Sequence, residues 1–371
     1  MIYVFYNNDP LAQDQGGGAE HFRALHRALL VSGLPFRMVA ARLQEERVDA
    51  HVDYVSRGAD FPRFWLGCWW WFWRNRHRLR PEDVFHFHRN YAAWPKYVLA
   101  PRTGRVVITY HTVSGRVLET RLGRWAWPLR AVMRALERRA VRRADAVVCV
   151  SEGDRRELAR RVDPEVFARA LVVPASFDAG LFARLHATPP SPALAERLLF
   201  VGRIARPKNA PLALAVLEEL HRRGRTGYTL TIAGDGEEAR ALVRRLARSP
   251  TAEAVRWLGR VPHDRMPELY AGHGVVLVTS RFESSPTVVK EALAARRPVV
   301  TTDVGDVRAW IEEGVTGFVR PAEAGALADG VEAASRLIRK GRVGTAPRLA
   351  AAGEDRVMTR VVDLYRALGT G

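Results

Sequence analysis

The sequence has few cysteines and no long apolar run. Its 371 residues include two cysteines, Cys68 and Cys149, which are too few for a disulfide framework. No stretch approaches the roughly 20 apolar residues of a transmembrane helix, and the first residues lack the basic start of a secretory signal. These absences exclude a disulfide-rich secreted domain, and we expect a protein of the reducing cytoplasm.

Lysine is also scarce, and the positive charge is unevenly distributed. Only four of the 58 basic residues are lysine, and the net charge is +18. Between residues 61 and 143 there are 18 basic residues against four acidic ones, so this window alone carries +14. The same window holds eight of the ten tryptophans. A basic, aromatic region of this kind predicts an anionic partner surface.

Strand-like apolar runs alternate with helical patterns along the whole chain. This alternation predicts an α/β protein with two doubly wound parallel-sheet domains and a cleft between them. A proline-rich stretch interrupts the pattern, so we predict a first domain over 1–186, a linker over 187–197 and a second domain over 198–353. The amphipathic segment 354–371 is predicted to be a helix that packs back on the first domain.

The most informative segment is RFESSPTVVKE, which ends at Glu291 and follows a buried apolar run. Glu283 and Glu291 stand eight positions apart, and a helix is predicted to open at about Pro286 with one of the preceding serines as its cap. A helix N-terminus at the carboxyl end of a parallel strand favours an anion. A ligand with a phosphate there could offer hydroxyl groups to both acids, as a sugar nucleotide would.

A second segment, GRIARPKN, follows the first predicted strand of the second half. Gly202 permits a tight exit from the strand, and Arg203 and Lys208 then project from a loop where ligands bind in open α/β sheets. Two fixed cations suit a diphosphate, because the charge on such a leaving group rises in the transition state. A solvated basic loop is the alternative for this segment taken alone.

These segments together resemble the retaining glycosyltransferases of family 4. The resemblance also includes IAGDGEE, VVTTDVGDV, QGGGAEHF, VITYHT and VCVSEGDRREL, so it covers nearly the whole chain. It implies the GT-B fold, two Rossmann-like domains whose parallel sheets face each other across a cleft. It also implies that the protein moves a sugar from a nucleotide diphosphate sugar to a lipid-linked or cell-envelope glycan acceptor, as bacterial polysaccharide-type members do.

The resemblance implies a role for each matching residue. Glu283 faces the donor sugar as a catalytic residue, together with His111 near the reacting carbon. The donor-binding residues are Gly17, Gly18, Arg203, Lys208, Ser285, Pro286, Thr287 and Glu291. Among these, Arg203 and Lys208 hold the diphosphate and Glu291 binds the ribose.

Several of these residues have a simpler structural interpretation. His111 could end its strand and bond a neighbouring carbonyl group. Glu20 is predicted to cap or pair at its helix start, and Asp235 to support a turn. His86 and His88 lie on one predicted strand and are expected to face opposite sides of it, so that at most one of them, His88, lies near the site.

The sequence departs from the family at one point and offers no metal site. After Gly305 the family usually carries a Pro-Glu pair, where this chain has Arg308 and Ala309. No Asp-x-Asp stands at a strand end, and Arg203 and Lys208 make a metal unnecessary, so we expect no metal and no cofactor. No carboxylate is clearly placed as a nucleophile, which favours front-face attack with the leaving phosphate taking the acceptor's proton.

The tryptophan-rich segment from Phe61 to Arg80 is the clue to the acceptor. As a helix it is predicted to present Trp65, Trp69, Phe72 and Trp73 on one face, followed by Arg74 and Arg78. Such a segment suits the membrane interface, where tryptophan and arginine meet anionic headgroups, so we predict peripheral attachment to the inner face of the cell membrane. The alternatives are a core helix on the first sheet and, much less favoured, a nucleic-acid surface.

Three other functions stay open from the sequence. A GT-B sugar-nucleotide 2-epimerase would share the fold, although the paired glutamates and the Arg-Lys loop argue against it. A glycosyltransferase could instead act on a soluble small molecule. A non-enzymatic binder of anionic surfaces is the least favoured.

Overall fold

A computed structural model of the chain describes residues 1–12, 17–43, 49–111 and 127–369. The chain divides into two compact units, Met1–Ser176 with Asp355–Gly371, and Phe177–Glu354. Each unit contains one sheet, and every strand pair within the described residues is parallel. The predicted α/β class with two doubly wound sheets is confirmed.

The first unit is built on a seven-stranded sheet in the order β3-β2-β1-β4-β5-β6-β7. Its strands are β1 (Ile2–Tyr6), β2 (Phe36–Arg42), β3 (Val52–Arg57), β4 (Val84–Phe87), β5 (Arg105–Tyr110), β6 (Ala146–Cys149) and β7 (Leu171–Val172). Its helices in the described ranges are α1 (Gly17–Ser32), α2 (Phe61–Asn75), α3 (Trp94–Leu99), α4 (Trp127–Arg142), α5 (Glu152–Arg161) and α6 (Pro164–Ala168), and the C-terminal helix α14 (Glu354–Gly369) also packs here.

The central strand β1 shows why this sheet is covered on both faces. Its five residues are all buried. Because side chains alternate along a strand, Tyr3 and Phe5 pack on the side of α2, whereas Val4 and Tyr6 pack on the side of α1 and α14. Helix α14 contributes Val361 and its neighbours to this second layer. A continuous apolar strand of this kind is typical of a parallel sheet buried on both faces.

The second unit has a six-stranded sheet in the order β10-β9-β8-β11-β12-β13. Its strands are β8 (Arg197–Val201), β9 (Thr229–Ala233), β10 (Val255–Gly259), β11 (Val275–Val278), β12 (Val299–Thr302) and β13 (Gly317–Arg320). Its helices are α7 (Ala179–His186), α8 (Ala210–Arg222), α9 (Ala239–Leu246), α10 (Met266–Ala271), α11 (Thr287–Ala294), α12 (Val307–Trp310) and α13 (Ala324–Arg339).

The unit boundary lies between Ser176 and Phe177, ten residues before the predicted end of the first domain. Helix α7 belongs to the second unit because Phe182 is fully buried there, with its ring 5.5 Å from that of Tyr270. The predicted linker 187–197 therefore also lies within the second unit.

The tryptophan-rich segment forms α2, but its faces differ from the prediction. The helix begins after Asp60, whose carboxylate accepts the backbone N–H of Arg63 at 3.1 Å. Its buried residues are Phe64, Gly67, Cys68, Trp71 and Phe72. Trp71 packs on the rings of Tyr3 and Phe5, because β1 presents aromatic side chains on this face of the sheet. Its Nε1 donates to Asp53 at 2.9 Å.

The prediction that Phe72 shares a face with Trp65, Trp69 and Trp73 is wrong, because Phe72 is buried and Trp73 is 58% exposed. Trp65 and Trp69 are half-buried and in edge contact, with ring centres 5.8 Å apart. The core interpretation therefore holds for one side of α2, and the other side remains at the surface. No helix in the described ranges has both the length and the apolar content needed to cross a membrane.

Candidate functional site

In the second unit, glycine residues bring the ends of β8 and β9 close together. The backbone N–H of Gly202 donates to Ala233 at 3.0 Å, and that of Gly234 donates to Gly259 at 2.7 Å. Gly202 and Gly234 have φ angles of 152° and 148°. A Cβ atom on Gly234 would lie 1.9 Å from the carbonyl oxygen of Gly202, so only glycine fits there.

The loop after Gly202 carries the two predicted cations and lies against the end of β11. The backbone N–H of Arg281 donates to Pro207 at 2.7 Å, and the Thr279 hydroxyl donates to the carbonyl of Asn209 at 3.0 Å. These contacts hold Lys208 beside the segment that the two glutamates flank. Arg203 is exposed at the other end of the loop.

Lys208 and Glu283 contact each other directly. The Nζ of Lys208 donates to Oε1 of Glu283, and the same oxygen accepts the hydroxyl of Ser280 at 2.8 Å. The carboxylate is thus held by a cation and a hydroxyl at the carboxyl end of the sheet. This arrangement suits recognition of hydroxyl groups beside a phosphate.

The helix after Glu283 begins one residue later than predicted. Helix α11 starts at Thr287, so Pro286 is the N-cap residue and not the first helical residue, and no side chain caps the helix. The hydroxyl of Ser285 instead accepts from Lys290 Nζ and donates to Asp306, each at 2.6 Å. The first backbone N–H groups of α11 therefore lack a side-chain acceptor, which is the arrangement that binds anions.

Glu291 lies one turn into α11 and is mostly buried. The hydroxyl of Tyr270 donates to its Oε2 at 2.9 Å. Burial, together with the charge of Glu291, raises the pKa of Tyr270 well above its usual value, so this hydroxyl remains a donor. Tyr270 therefore fixes the orientation of the Glu291 carboxylate.

In the first unit, three histidines from three elements come together. His111 follows β5, His88 follows β4 and His21 lies on α1, and His88 Nδ1 is 2.7 Å from His111 Nε2. Burial lowers the pKa of both His88 and His111 well below the usual value, so both rings are neutral near pH 7. The ring of Tyr6 stacks on that of His111, with centres 5.4 Å apart.

This histidine cluster is larger than the sequence predicted. We expected His86 and His88 to face opposite sides of their strand, but their ring centres are 4.2 Å apart. The expectation is wrong because residues two positions apart in a strand share a face. His21 was not predicted, although its position four residues after Gly17 on α1 could have indicated it.

The same three histidines are the one group in the described ranges that could hold a metal ion. Their ligand atoms lie within 4.8 Å of one another. Two ligands of a tetrahedral zinc ion, with bonds of 2.0–2.1 Å, would stand about 3.3 Å apart. The 2.7 Å separation of His88 and His111 is that of a hydrogen bond, so the pair as it stands is not arranged for coordination.

The start of α1 requires a small residue. The helix begins at Gly17, and a Cβ atom on Gly18 would lie 2.6 Å from the hydroxyl of Tyr6. Glu20 pairs with Arg23, and its other oxygen lies 3.5 Å from Arg27, so it has the predicted structural role.

Asp235 and Arg308 also make structural contacts within the second unit. The carboxylate of Asp235 accepts the N–H of Gly236 at 2.8 Å, as in a turn. At the departure from the family, Arg308 donates to Asp303 at 2.9 Å on the surface of the second unit.

The sequence matches two family profiles. The profile "Glycosyl transferases group 1" matches residues 195–337, and "Glycosyltransferase Family 4" matches residues 15–178. The alpha-D-kanosaminyltransferase of Streptomyces kanamyceticus is 30% identical over 285 residues, 71% of each chain. A glycogen synthase of Mycobacterium tuberculosis is 30% identical over 240 residues, which are 63% of this chain and 55% of that enzyme.

The structure also resembles solved structures over nearly its full length. Sucrose-phosphate synthase from Thermosynechococcus elongatus aligns over 99% of this chain and 98% of its own, with a TM-score of 0.78 and 20% identity. Anabaena HepE in complex with UDP-glucose aligns over 99% of this chain and 100% of its own, with a TM-score of 0.67 and 15% identity. These likenesses confirm the predicted GT-B fold.

Proposed function

Since the chain belongs to the group 1 glycosyltransferases, we propose that it is a retaining enzyme of family 4 that moves a sugar from a nucleotide diphosphate sugar to a lipid-linked or cell-envelope glycan. The observation that carries the proposal is the contact of Lys208 with Glu283 beside the start of α11. A cation, a carboxylate and an uncapped helix N-terminus match the diphosphate and the sugar hydroxyls of such a donor.

In the proposed complex, Arg203 and Lys208 hold the diphosphate, and the backbone at Ser285 and Thr287 approaches the phosphate and the sugar. Glu283 accepts hydrogen bonds from the sugar hydroxyls. Glu291, oriented by Tyr270, accepts those of the ribose. HepE, which shares the fold, was solved with UDP-glucose, and this supports a nucleotide sugar as the donor.

We propose front-face chemistry without a divalent metal. The acceptor hydroxyl attacks C1 of the sugar on the side from which the diphosphate leaves. The bond between C1 and the phosphate oxygen breaks, and the acceptor's proton passes to that oxygen. Arg203 and Lys208 stabilise the charge that develops there. His111, whose pKa is lowered by desolvation so that its ring is neutral near pH 7, contacts the sugar without adding a charge.

The exposed side of α2 supports a membrane-bound acceptor. Trp70 and Trp73 are 52% and 58% exposed, and the guanidinium groups of Arg74 and Arg76 lie 5.5 Å from the centres of their respective rings. Exposed tryptophan beside arginine is typical of proteins that bind the interface of anionic membranes. We therefore propose peripheral attachment to the inner face of the cell membrane, with Trp65, Trp69 and Arg78 at the edge of the contact.

A soluble small-molecule acceptor is the second candidate. The similarity to D-inositol 3-phosphate glycosyltransferases, such as that of Kineococcus radiotolerans with 32% identity over 251 residues, favours it, because inositol phosphate is a small soluble molecule. The two candidates share the donor half of the reaction and differ only in what receives the sugar.

The donor is tested by thermal unfolding with UDP-, GDP-, ADP- and TDP-sugars. A donor at 100 times its dissociation constant should stabilise the protein by about 2.7 kcal/mol. Radiolabelled sugar from that donor is then offered to a membrane extract and, separately, to soluble amino sugars and inositol phosphate. Label in the lipid phase supports the first candidate, and label on a soluble acceptor supports the second. The proposal fails if no nucleotide sugar binds or is turned over.

A further inference from the structure

Lys290, the residue before Glu291, is fully buried, at 0% exposure. Lysine is almost never fully buried unless its ammonium group is paired. Here Nζ donates to the hydroxyl of Ser285 at 2.6 Å and lies 4.0 Å from the carboxylate of Asp306. It also lies 5.0 Å from the centre of the Trp310 ring. The sequence alone gave no reason to single out this residue.

These contacts join the loop that carries Glu283 to the loop after β12. The Ser285 hydroxyl accepts from Lys290 and donates to Asp306 at 2.6 Å, so one side chain bridges both charges. The two loops also touch through their backbones. A Cβ atom on Gly305 would lie 2.5 Å from the carbonyl oxygen of Ser284 and 2.9 Å from that of Glu283.

No side chain caps α11, and Pro286 has no N–H group, so the usual means of fixing a helix start are missing here. A buried ion pair is a weak source of stability, because removing both charges from water offsets most of their attraction. A hydrophobic residue at position 290 would fill the same space. It could not orient the Ser285 hydroxyl.

We infer that Lys290 is a positioning residue of the donor site, which fixes the loop of Glu283 through Ser285 and Asp306. This inference rests on the proposed function, because the loop needs a fixed geometry only if it binds the reacting sugar. Lys290 itself does not touch the donor. Its removal should impair the chemical step more than nucleotide binding, since Glu291 and Lys208 remain.

The test compares two buried lysines. Lys290→Met removes the ammonium group beside the donor loop, and the control Lys96→Met removes one that is 3% exposed in the first unit. We expect Lys290→Met to lower kcat by roughly tenfold or more, as for the loss of a hydrogen bond to a charged group, with the Kd for the nucleoside diphosphate within about threefold of the parent. Lys96→Met should lower Tm and leave kcat within about threefold of the parent, because it lies outside the site.

Two further variants separate positioning from folding. In Lys290→Met/Asp306→Asn the carboxylate paired with Lys290 is also removed and Glu291 keeps its bond to Tyr270, so Tm should recover while kcat stays low. Ser285→Ala keeps both charges and breaks the bridge, so it should lower kcat with a smaller loss of Tm. If Lys290→Met does not fold, the kcat of Ser285→Ala still shows whether the bridge positions the donor loop.

The pH profile provides an independent measurement. Burial lowers the pKa of Lys290 to about 8, against the opposing effect of the two carboxylates that face it, Asp306 and Glu291. The parent's kcat should therefore fall as pH rises through about 8. The Lys290→Met variant should lack this alkaline fall.

The inference is overturned if Lys290→Met matches Lys96→Met in kcat, if the double variant recovers full activity, or if Ser285→Ala is as active as the parent. These outcomes all require an active parent. A parent that turns over no nucleotide sugar would instead contradict the proposed function.

Discussion

Lys208 and Glu283, 75 positions apart in the sequence, bind each other in the second unit. Each has a separate role in the proposed complex, the cation on the diphosphate and the carboxylate on the sugar. The side chains of Lys208 and Glu283 are 28% and 13% exposed, so both are partly shielded from solvent and both remain accessible to a ligand. A donor that offers a phosphate to one and a hydroxyl to the other replaces one charge-assisted contact by two.

Lys208→Ala should weaken binding of the nucleotide sugar. A hydrogen bond to a charged group contributes about 1.5–3 kcal/mol, so we expect the Kd to rise roughly 10- to 150-fold. Isothermal titration calorimetry with the donor found by thermal unfolding measures this change. Lys340→Ala, which removes an exposed lysine of the same unit, is the control. Equal affinities of the two variants would contradict the role of Lys208.

Glu283→Gln should lower kcat more than it weakens binding of the nucleotide. The amide keeps the shape of the side chain and loses the charge that holds sugar hydroxyls, so kcat should fall at least roughly tenfold while the nucleoside diphosphate still binds. Single-turnover kinetics with saturating donor measure the chemical step. A covalent sugar adduct on the parent enzyme, found by mass spectrometry after rapid quenching, would overturn the front-face mechanism.

Gly305 should be essential for the donor loop for a steric reason. Its φ is +57°, and a Cβ atom would meet two carbonyl oxygens of the Glu283 loop at 2.5 Å and 2.9 Å. Gly314 has a φ of +76° and no atom within 4 Å of such a Cβ. Gly314→Ala therefore measures backbone strain alone, about 1 kcal/mol. Gly305→Ala should lose more stability and at least roughly tenfold in kcat/KM, because it also displaces the loop. Similar values for the two variants would show that the close approach is unimportant.

The sequence predicted most of the sheets because their strands are continuous apolar runs. The strand Ile2–Tyr6 is such a run, and all five of its residues are buried. Strand β3 carries no such run in the sequence, because it is an edge strand whose residues are mostly half-buried. Hydrophobic patterns in a sequence therefore identify strands buried on both faces of a sheet far better than they identify edge strands.

The site was predictable where its residues follow one another, and not where the topology assembles them. The donor loop is local, so the segment around Glu283 could be interpreted directly. The histidine cluster depends on β4 and β5 being neighbours in the sheet and on α1 lying over their ends. Lys290 resembles any solvated helical lysine until its burial is known.

The buried histidines should make the protein acid-sensitive. Burial lowers the pKa of His86 to about 3, and those of His88 and His111 also fall well below the usual value. As pH falls through about 6.5, the unfolded chain binds protons that the folded chain does not, so the free energy of unfolding decreases by up to about 1.4 kcal/mol per pH unit for each histidine.

Urea unfolding at about pH 7.5 and about pH 5 measures this loss of stability. His86→Gln, which can keep hydrogen bonds to Tyr365 and Thr109, should reduce the difference. The exposed His77→Gln should leave it unchanged. If both variants lose as much stability as the parent between the two pH values, protonation of His86 is not the cause.

The exposed side of α2 should bind anionic membranes, and its tryptophans and arginines should contribute differently. Trp70→Ser/Trp73→Ser removes apolar area, and each fully buried large side chain contributes roughly 1.5–3 kcal/mol, so flotation with phosphatidylglycerol vesicles should fall at least roughly tenfold. Arg74→Gln/Arg76→Gln should reduce binding mainly at low salt, at about 1 kcal/mol per charge. The control is Leu30→Ser/Val31→Ser, which removes apolar residues 48% and 88% exposed at the end of α1.

The Trp variants should still turn over the donor in the absence of membrane, because α2 belongs to the first unit and the donor residues Lys208 and Glu283 to the second. If the parent does not float with anionic vesicles at low salt, the membrane proposal is wrong, and the soluble acceptor becomes the better candidate.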